Sequence, residues 1–185
     1  MTKASTHEPS GGSLSGLTLV LGGARSGKSQ YAEGLVEAAP CARRVYVATG
    51  EAGDAEMAAR IAAHRKRRGV GWTTVEAPRD LAGAIARESR PGSVVLVDCL
   101  TLWLSNLLLA GDDHDAMRAS LLGALAMVRG PVVCVANEVG LGIVPDNALA
   151  RAFRDAAGRL NQDVAAAADC VVFLAAGLPL VLKSA

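Results

Sequence analysis

Gly22-Gly23-Ala24-Arg25-Ser26-Gly27-Lys28-Ser29 is the stretch on which the reading of this chain turns. It meets every fixed position of the phosphate-binding loop pattern G-x-x-x-x-G-K-S/T. The surroundings agree: Leu17-Thr18-Leu19-Val20-Leu21 predicts a short buried strand before it, and Ser29 to Glu37 a helix after it. Glycines let the backbone curl so that successive N–H groups point inward at phosphate oxygens. The helix that follows adds the positive end of its dipole. Lys28 then supplies a charge for the β- and γ-phosphates, and the Ser29 hydroxyl a ligand for Mg2+. The expectation is a nucleoside triphosphate site.

Outward from this loop, strand and helix signals alternate. Val45–Ala48 reads as a strand ending in Thr49-Gly50. Asp54 or a neighbour opens a helix through Met57, Ile61 and His64. An extended piece spans Trp72–Val75, a helix runs from about Asp80 to Arg90, and Pro91-Gly92 stops it. Val94–Val97 is the clearest buried strand. Helices follow over Leu100–Leu109 and Ala116–Val128, with the polar loop Gly111–Asp115, its His114 solvated, between them. Val132–Ala136 is another strand. Pro145-Asp146 opens a long helix with Leu149, Phe153, Leu160 and Val164 on one side, and two short strands near Val171–Leu174 and Leu180–Leu182 close the chain. Such alternation predicts one α/β domain, a mostly parallel sheet flanked by helices, over 17–185. Residues 1–16 are polar and Gly/Ser-rich, which predicts a disordered tail.

Composition narrows the classes. At 185 residues, 51% hydrophobic but only 3% aromatic, the core must be built from Val, Leu, Ile and Ala. A formal net charge of +1 speaks against a nucleic-acid partner, which needs a basic footprint. Val94–Ala110, the most apolar segment, is interrupted by Asp98 and Asn106 and is too short for a membrane span. Cys41, Cys99, Cys134 and Cys170 form no C-x-x-C pair, and with no signal peptide they point to the cytoplasm.

Three further places carry chemistry. Asp98 follows a run of aliphatic residues, so it stands at the end of a buried strand, the edge where open α/β sheets bind ligands; there an acid holds Mg2+, or caps the next helix. His64 lies in Arg60–Arg68, a basic helical end. That stretch is read as a solvated face, or as a covalent nucleophile among cations that hold the triphosphate. Asn137-Glu138 again stand at a strand end, followed by the glycine-bearing loop to Pro145, an ordinary connection or part of the site.

Taken together, these motifs resemble one family. The phosphate loop, Ala48-Thr49-Gly50, Arg60-Ile61-x-x-His64-x-x-x-Arg68 ahead of Trp72, Val97-Asp98-Cys99-Leu100-Thr101, Asn137–Pro145 and Ala150–Gln162 resemble the bifunctional adenosylcobinamide kinase / adenosylcobinamide-phosphate guanylyltransferases of cobalamin biosynthesis, from about Leu17 to Lys183. The phosphate loop alone is generic, whereas the last two blocks are specific. The resemblance implies a single P-loop NTPase-type (RecA-like) domain, a homotrimer, and phosphorylation of adenosylcobinamide by ATP or GTP. GMP transfer from GTP onto adenosylcobinamide phosphate would follow, through a guanylylated histidine that falls on His64. It implies nucleotide contacts at Gly22, Gly23, Ala24, Arg25, Ser26, Gly27, Lys28, Ser29, Ala48, Thr49, Gly50, Arg65, Lys66, Arg67, Arg68, Glu76 and Asp98. Departures are small: Ala148 and Gly69 stand where the family has Arg and Pro, and some relatives carry Glu at the place of Asp98. Two other readings share the phosphate loop, a different small-molecule kinase and a regulatory nucleotide switch, and neither would form a guanylyl-enzyme.

Overall fold

The computed structural model describes residues 14–51, 55, 59, 62, 66 and 68–184. Its strands are β1 (Leu17–Gly22), β2 (Arg43–Ala48), β3 (Trp72–Glu76), β4 (Ser93–Asp98), β5 (Val132–Asn137), β6 (Cys170–Ala175) and β7 (Leu178–Lys183), joined in one sheet in the order β3-β2-β4-β5-β1-β6-β7. Every pairing is parallel except the β6–β7 hairpin. The helices among the described residues are α1 (Lys28–Ala38), α2 (Leu81–Glu88), α3 (Leu100–Ala110), α4 (His114–Ala126) and α5 (Ala148–Ala167).

The central strands are aliphatic runs because both of their faces are covered. Alternation along each strand sorts the side chains into two layers. Leu19, Val47, Val95, Val97 and Cys134 pack with Leu81, Ile85, Trp103, Leu121 and Leu160, while Val20, Tyr46, Leu96, Val133 and Val135 pack with Ala32 and Val36 of α1. Trp103 is fully buried, and its indole N–H donates to Arg79 O at 2.8 Å, so the largest core side chain leaves no polar atom stranded.

Helix boundaries follow from caps. Asp80 accepts from Gly83 N, Asp113 from Ala116 N and Asn147 from Ala150 N, each satisfying a first-turn donor. The Asp113 cap starts α4 two residues before the expected Ala116, so His114 belongs to a helix rather than to the polar loop. Likewise α5 begins after Asn147 rather than at Pro145, and its buried stripe is Ala157, Leu160, Asn161 and Val164. Leu149, expected on the core side, sits in a first turn that has not yet reached the core and is 64% exposed. Of the helix expected from Asp54 through His64, Ala55, Ala59 and Ala62 are helical and the others lie outside the described residues. Residues 14–16 lead into β1: Leu14 packs on the core and Gly16 O accepts from Val132 N at 2.8 Å. The rest of the expected tail lies outside the described residues.

All four cysteines are free thiols. Burial, with the nearby Asp98 charge adding to it, pushes the Cys99 thiol up to about 11, and burial alone pushes Cys134 up to about 12. At pH 8 iodoacetamide will therefore leave Cys99 and Cys134 unmodified in the native protein but alkylate both after denaturation, read by peptide mass spectrometry. Unfolded thiols ionise near 9, below the folded values, so these groups leave stability intact below pH 9 and erode it as pH rises towards 11 to 12.

Candidate functional site

The parallel strands deliver their C-terminal ends to one edge of the sheet. In register, Gly22 of β1 lies beside Asn137 of β5 and Leu174 of β6, while Ala48 of β2 lies between Glu76 of β3 and Asp98 of β4. Asp98 in turn is opposite Val135, so β5 alone separates the phosphate-loop strand from the acid-bearing strand. Gly22, Ala48, Glu76 and Asp98, scattered in sequence, thus end four parallel strands at the ligand-binding edge; the last three share one row, and Gly22 stands two residues beyond it.

The loop from Gly22 into α1 has little room. A Cβ on Gly22 would stand 2.5 Å from Ser26 Oγ and 2.7 Å from Leu174 O, so only glycine fits there. Gly27, at φ 93°, takes the N-cap position of α1 without a capping side chain, and no acidic residue lies in the first turn, which leaves the helix amides for an anion. Arg25 adopts φ 56° to complete the curl. Lys28 Nζ donates to Gly23 O at 3.0 Å, folding its charge back over the loop. From outside, the β6–β7 turn braces the loop: Gly177 N donates to Ser26 O at 2.9 Å.

Across the edge, Thr49 is fully buried, and its hydroxyl closes a two-way clasp on Cys99. Oγ1 donates to Cys99 O and accepts from Cys99 N, both at 2.8 Å, around a cis Asp98–Cys99 peptide. The Asn106 amide donates to Thr49 O at 2.7 Å and to Pro78 O at 3.0 Å, tying the strand ends to α3. Tyr46 donates from its hydroxyl to Asp98 Oδ2 at 3.1 Å. The Arg68 guanidinium lies 3.4 Å from the Tyr46 ring centroid, and Trp72 meets the same ring edge-on at 6.4 Å. Arg68 is buried, and its Nη1 has no hydrogen-bond partner among the described residues, nor does Ser26 Oγ. Such orphaned donors are costly unless something polar arrives.

On the other flank Asn137 N donates to Thr101 Oγ1 at 2.7 Å, and Glu138 N donates to Gly22 O at 3.1 Å, so the Asn137-Glu138 pair abuts the phosphate loop. The loop beyond it presents Leu141, Ile143 and Val144 to solvent. Ser29 and Asp98 offer hydroxyl and carboxylate oxygens, a donor set that suits a hard divalent cation. Of the basic cluster, Lys66 is exposed and Arg68 buried, while His64, Arg65 and Arg67 lie outside the described residues. Sequence reading passed over Tyr46, Asn106 and Gly177. A tyrosine within an aliphatic strand was a signal for the first, and a glycine between two closely spaced strand-like runs one for the last.

A family model described as CobU, cobinamide kinase / cobinamide phosphate guanyltransferase, matches residues 18–182. The chain is 48% identical over 167 residues to the bifunctional adenosylcobalamin biosynthesis protein CobP of Pseudomonas aeruginosa, covering 89% of this chain and 96% of that one. It is 43% identical over 182 residues to the bifunctional protein CobU of Salmonella typhimurium, covering 90% and 99%. Among solved structures it resembles flagellar accessory protein FlaH of Methanocaldococcus jannaschii (TM-score 0.51, 14% identity, 91% of this chain and 78% of that one). It also resembles the ATPase EscN of enteropathogenic E. coli (TM-score 0.53, 12% identity, 88% and 43%). These last two likenesses show the fold, that of P-loop NTPases.

The Thr49 clasp is testable on its own. Thr49→Val removes both hydrogen bonds at nearly constant volume; it strands the Cys99 N–H and leaves the Cys99 C=O only its bond from Trp103 N at 3.2 Å. It will lower stability by about 2–4 kcal/mol in urea denaturation, with Thr49→Ser recovering most of the loss.

Proposed function

Because the chain belongs to the cobinamide kinase / cobinamide phosphate guanyltransferase family, we propose that it performs both reactions of that family at the edge described above. In the first, the aminopropanol hydroxyl of adenosylcobinamide attacks the γ-phosphorus of ATP or GTP. The bond to the β-phosphate oxygen breaks, the hydroxyl loses its proton, and a nucleoside diphosphate leaves. In the second, a neutral imidazole nitrogen of His64 attacks the α-phosphorus of GTP and expels pyrophosphate. An oxygen of the adenosylcobinamide phosphate then takes the GMP, the P–N bond breaks, and adenosylcobinamide-GDP is released with the imidazole restored.

The observation that carries this reading is that the strands ending in Gly22, Ala48, Glu76 and Asp98 bring these residues to one edge of the sheet, beside an uncapped α1 N-terminus. Loop amides from Gly23 to Ser29 hold the phosphates, and Lys28 swings from Gly23 O to the β- and γ-oxygens, where charge develops in transfer. Ser29 and Asp98 would hold Mg2+, which supplies charge neutralisation of the phosphates when bound. Arg65, Lys66, Arg67 and Arg68 are assigned to the triphosphate, and Gly50 with Glu76 to the rest of the nucleotide; Thr49, expected among the contacts, is fully buried with its hydroxyl spent on Cys99 and holds the edge from within. The assembly is assigned as a homotrimer, for which the exposed apolar edge of β7 (Leu178, Leu180, Val181, Leu182) offers an interface. Four free thiols support a cytoplasmic setting.

Lys28→Ala will cut the kinase rate on the order of 100- to 1000-fold and weaken GTP binding, measured by steady-state assay and calorimetry. A near-normal rate would remove the loop from the reaction. His64→Ala will separate the two activities. Phosphorylation of adenosylcobinamide will largely survive while GMP transfer collapses. Wild-type protein treated with GTP radiolabelled at its α-phosphate will retain a base-stable, acid-labile label on the denatured chain, and the variant none. A labelled His64→Ala chain would place the nucleophile elsewhere.

A further inference from the structure

Tyr46 stands two residues before the end of β2, yet it touches two charged groups, Asp98 and Arg68. Its hydroxyl reaches Asp98 Oδ2 at 3.1 Å, and its ring face lies 3.4 Å from the Arg68 guanidinium carbon. We infer that Tyr46 is a positioning residue for phosphoryl transfer, holding the Asp98 carboxylate in one rotamer and seating Arg68 so that its unpartnered Nη1 is offered to the nucleotide phosphates. This rests on the assignment of Asp98 to the metal in the preceding subsection.

Three observations support it. Tyr46 is itself pinned: it is 6% exposed, packed in the α1-side core, and braced by the Trp72 edge at 6.4 Å. A held donor can orient an acceptor, which a mobile one cannot. The direction of the hydrogen bond follows from the groups themselves: the phenol carries the proton and the carboxylate oxygen accepts it. With Oδ2 engaged by the phenol, the carboxylate rotamer is set from behind, in the way outer-shell donors orient metal-ligating carboxylates. Finally, Arg68 is 7% exposed and its Nη1 has no partner among the described residues, a state that packing alone does not reward. Stacking on an aromatic face fixes a guanidinium plane while leaving its in-plane donors available.

The two contacts are separable by substitution. Tyr46→Phe removes the hydroxyl and keeps the ring, while Tyr46→Leu removes both. Each is compared with wild type and Asp98→Asn, by Mn2+ binding to the GDP-loaded protein (electron paramagnetic resonance), by calorimetry of GDP in EDTA, and by thermal melting. Tyr46→Phe will weaken Mn2+ binding about tenfold while leaving metal-free GDP affinity as in wild type. Tyr46→Leu will show the same metal defect and in addition a several-fold loss of metal-free GDP affinity, which Tyr46→Phe rescues. If Asp98→Asn is impaired but Tyr46→Phe binds Mn2+ as wild type does, the positioning role is overturned and the metal assignment stands. If Asp98→Asn itself binds Mn2+ as wild type, the metal assignment falls and this inference falls with it. Equal loss of metal-free affinity in Tyr46→Phe and Tyr46→Leu, tracking a lowered melting temperature, would mark Tyr46 as a packing residue only.

Discussion

The phosphate loop is shaped by what cannot fit around it. Gly22 has the Leu174 carbonyl on one side and Ser26 Oγ on the other, both closer to its missing Cβ than any side chain tolerates. The chain can pass only as bare backbone, and the turn it makes there sets where α1 begins and where its amides point. Outer elements conform to the same crowding. β6 supplies the carbonyl, the β6–β7 turn lends an amide to Ser26 O, and the Glu138 amide closes on Gly22 O. A loop braced on three sides has paid its ordering entropy before any nucleotide arrives, which favours binding through pre-organisation.

The opposite half of the edge is organised by hydrogen bonds instead of crowding. Thr49 clasps Cys99, Asn106 holds Thr49, and Tyr46 holds Asp98, so β2, β4 and α3 share their terminal polar groups. The two halves meet at β5, whose Asn137-Glu138 end touches the loop while Val135 lies opposite Asp98. A change on either side reaches the other through a single strand.

What could be read from sequence was local in origin. The phosphate loop, the aliphatic strands and the acid after Val97 each show themselves within about ten residues, by spacing or by a change of period, and all proved to lie where that reading put them. The helix starts were misplaced at Ala116 and Pro145 because several residues there could cap, and only the backbone picks Asp113 and Asn147. Tyr46, Asn106 and Gly177 were passed over for a different reason. Their importance comes from partners 52, 57 and 151 residues away, as Tyr46 with Asp98, Asn106 with Thr49, and Gly177 with Ser26. No window along the chain holds both ends of such a contact. The placement of His64 belongs to residues outside those described, so the guanylyl-transfer assignment stands on motif and chemistry.

The order of strands has a consequence for synthesis on the ribosome. β3 and β4 each pair with β2, and all three are complete once residue 98 has emerged, so that side of the sheet can form early. β1 is made first, but both of its neighbours, β5 and β6, come from the last third of the chain. At roughly 5–20 residues per second the first strand waits on the order of 10–30 s for them. Until then its apolar edge is open and Gly22 has no walls to crowd it. The phosphate loop is therefore among the earliest segments translated and among the last to take shape, and a nascent chain cannot hold nucleotide until its C-terminal hairpin is in place.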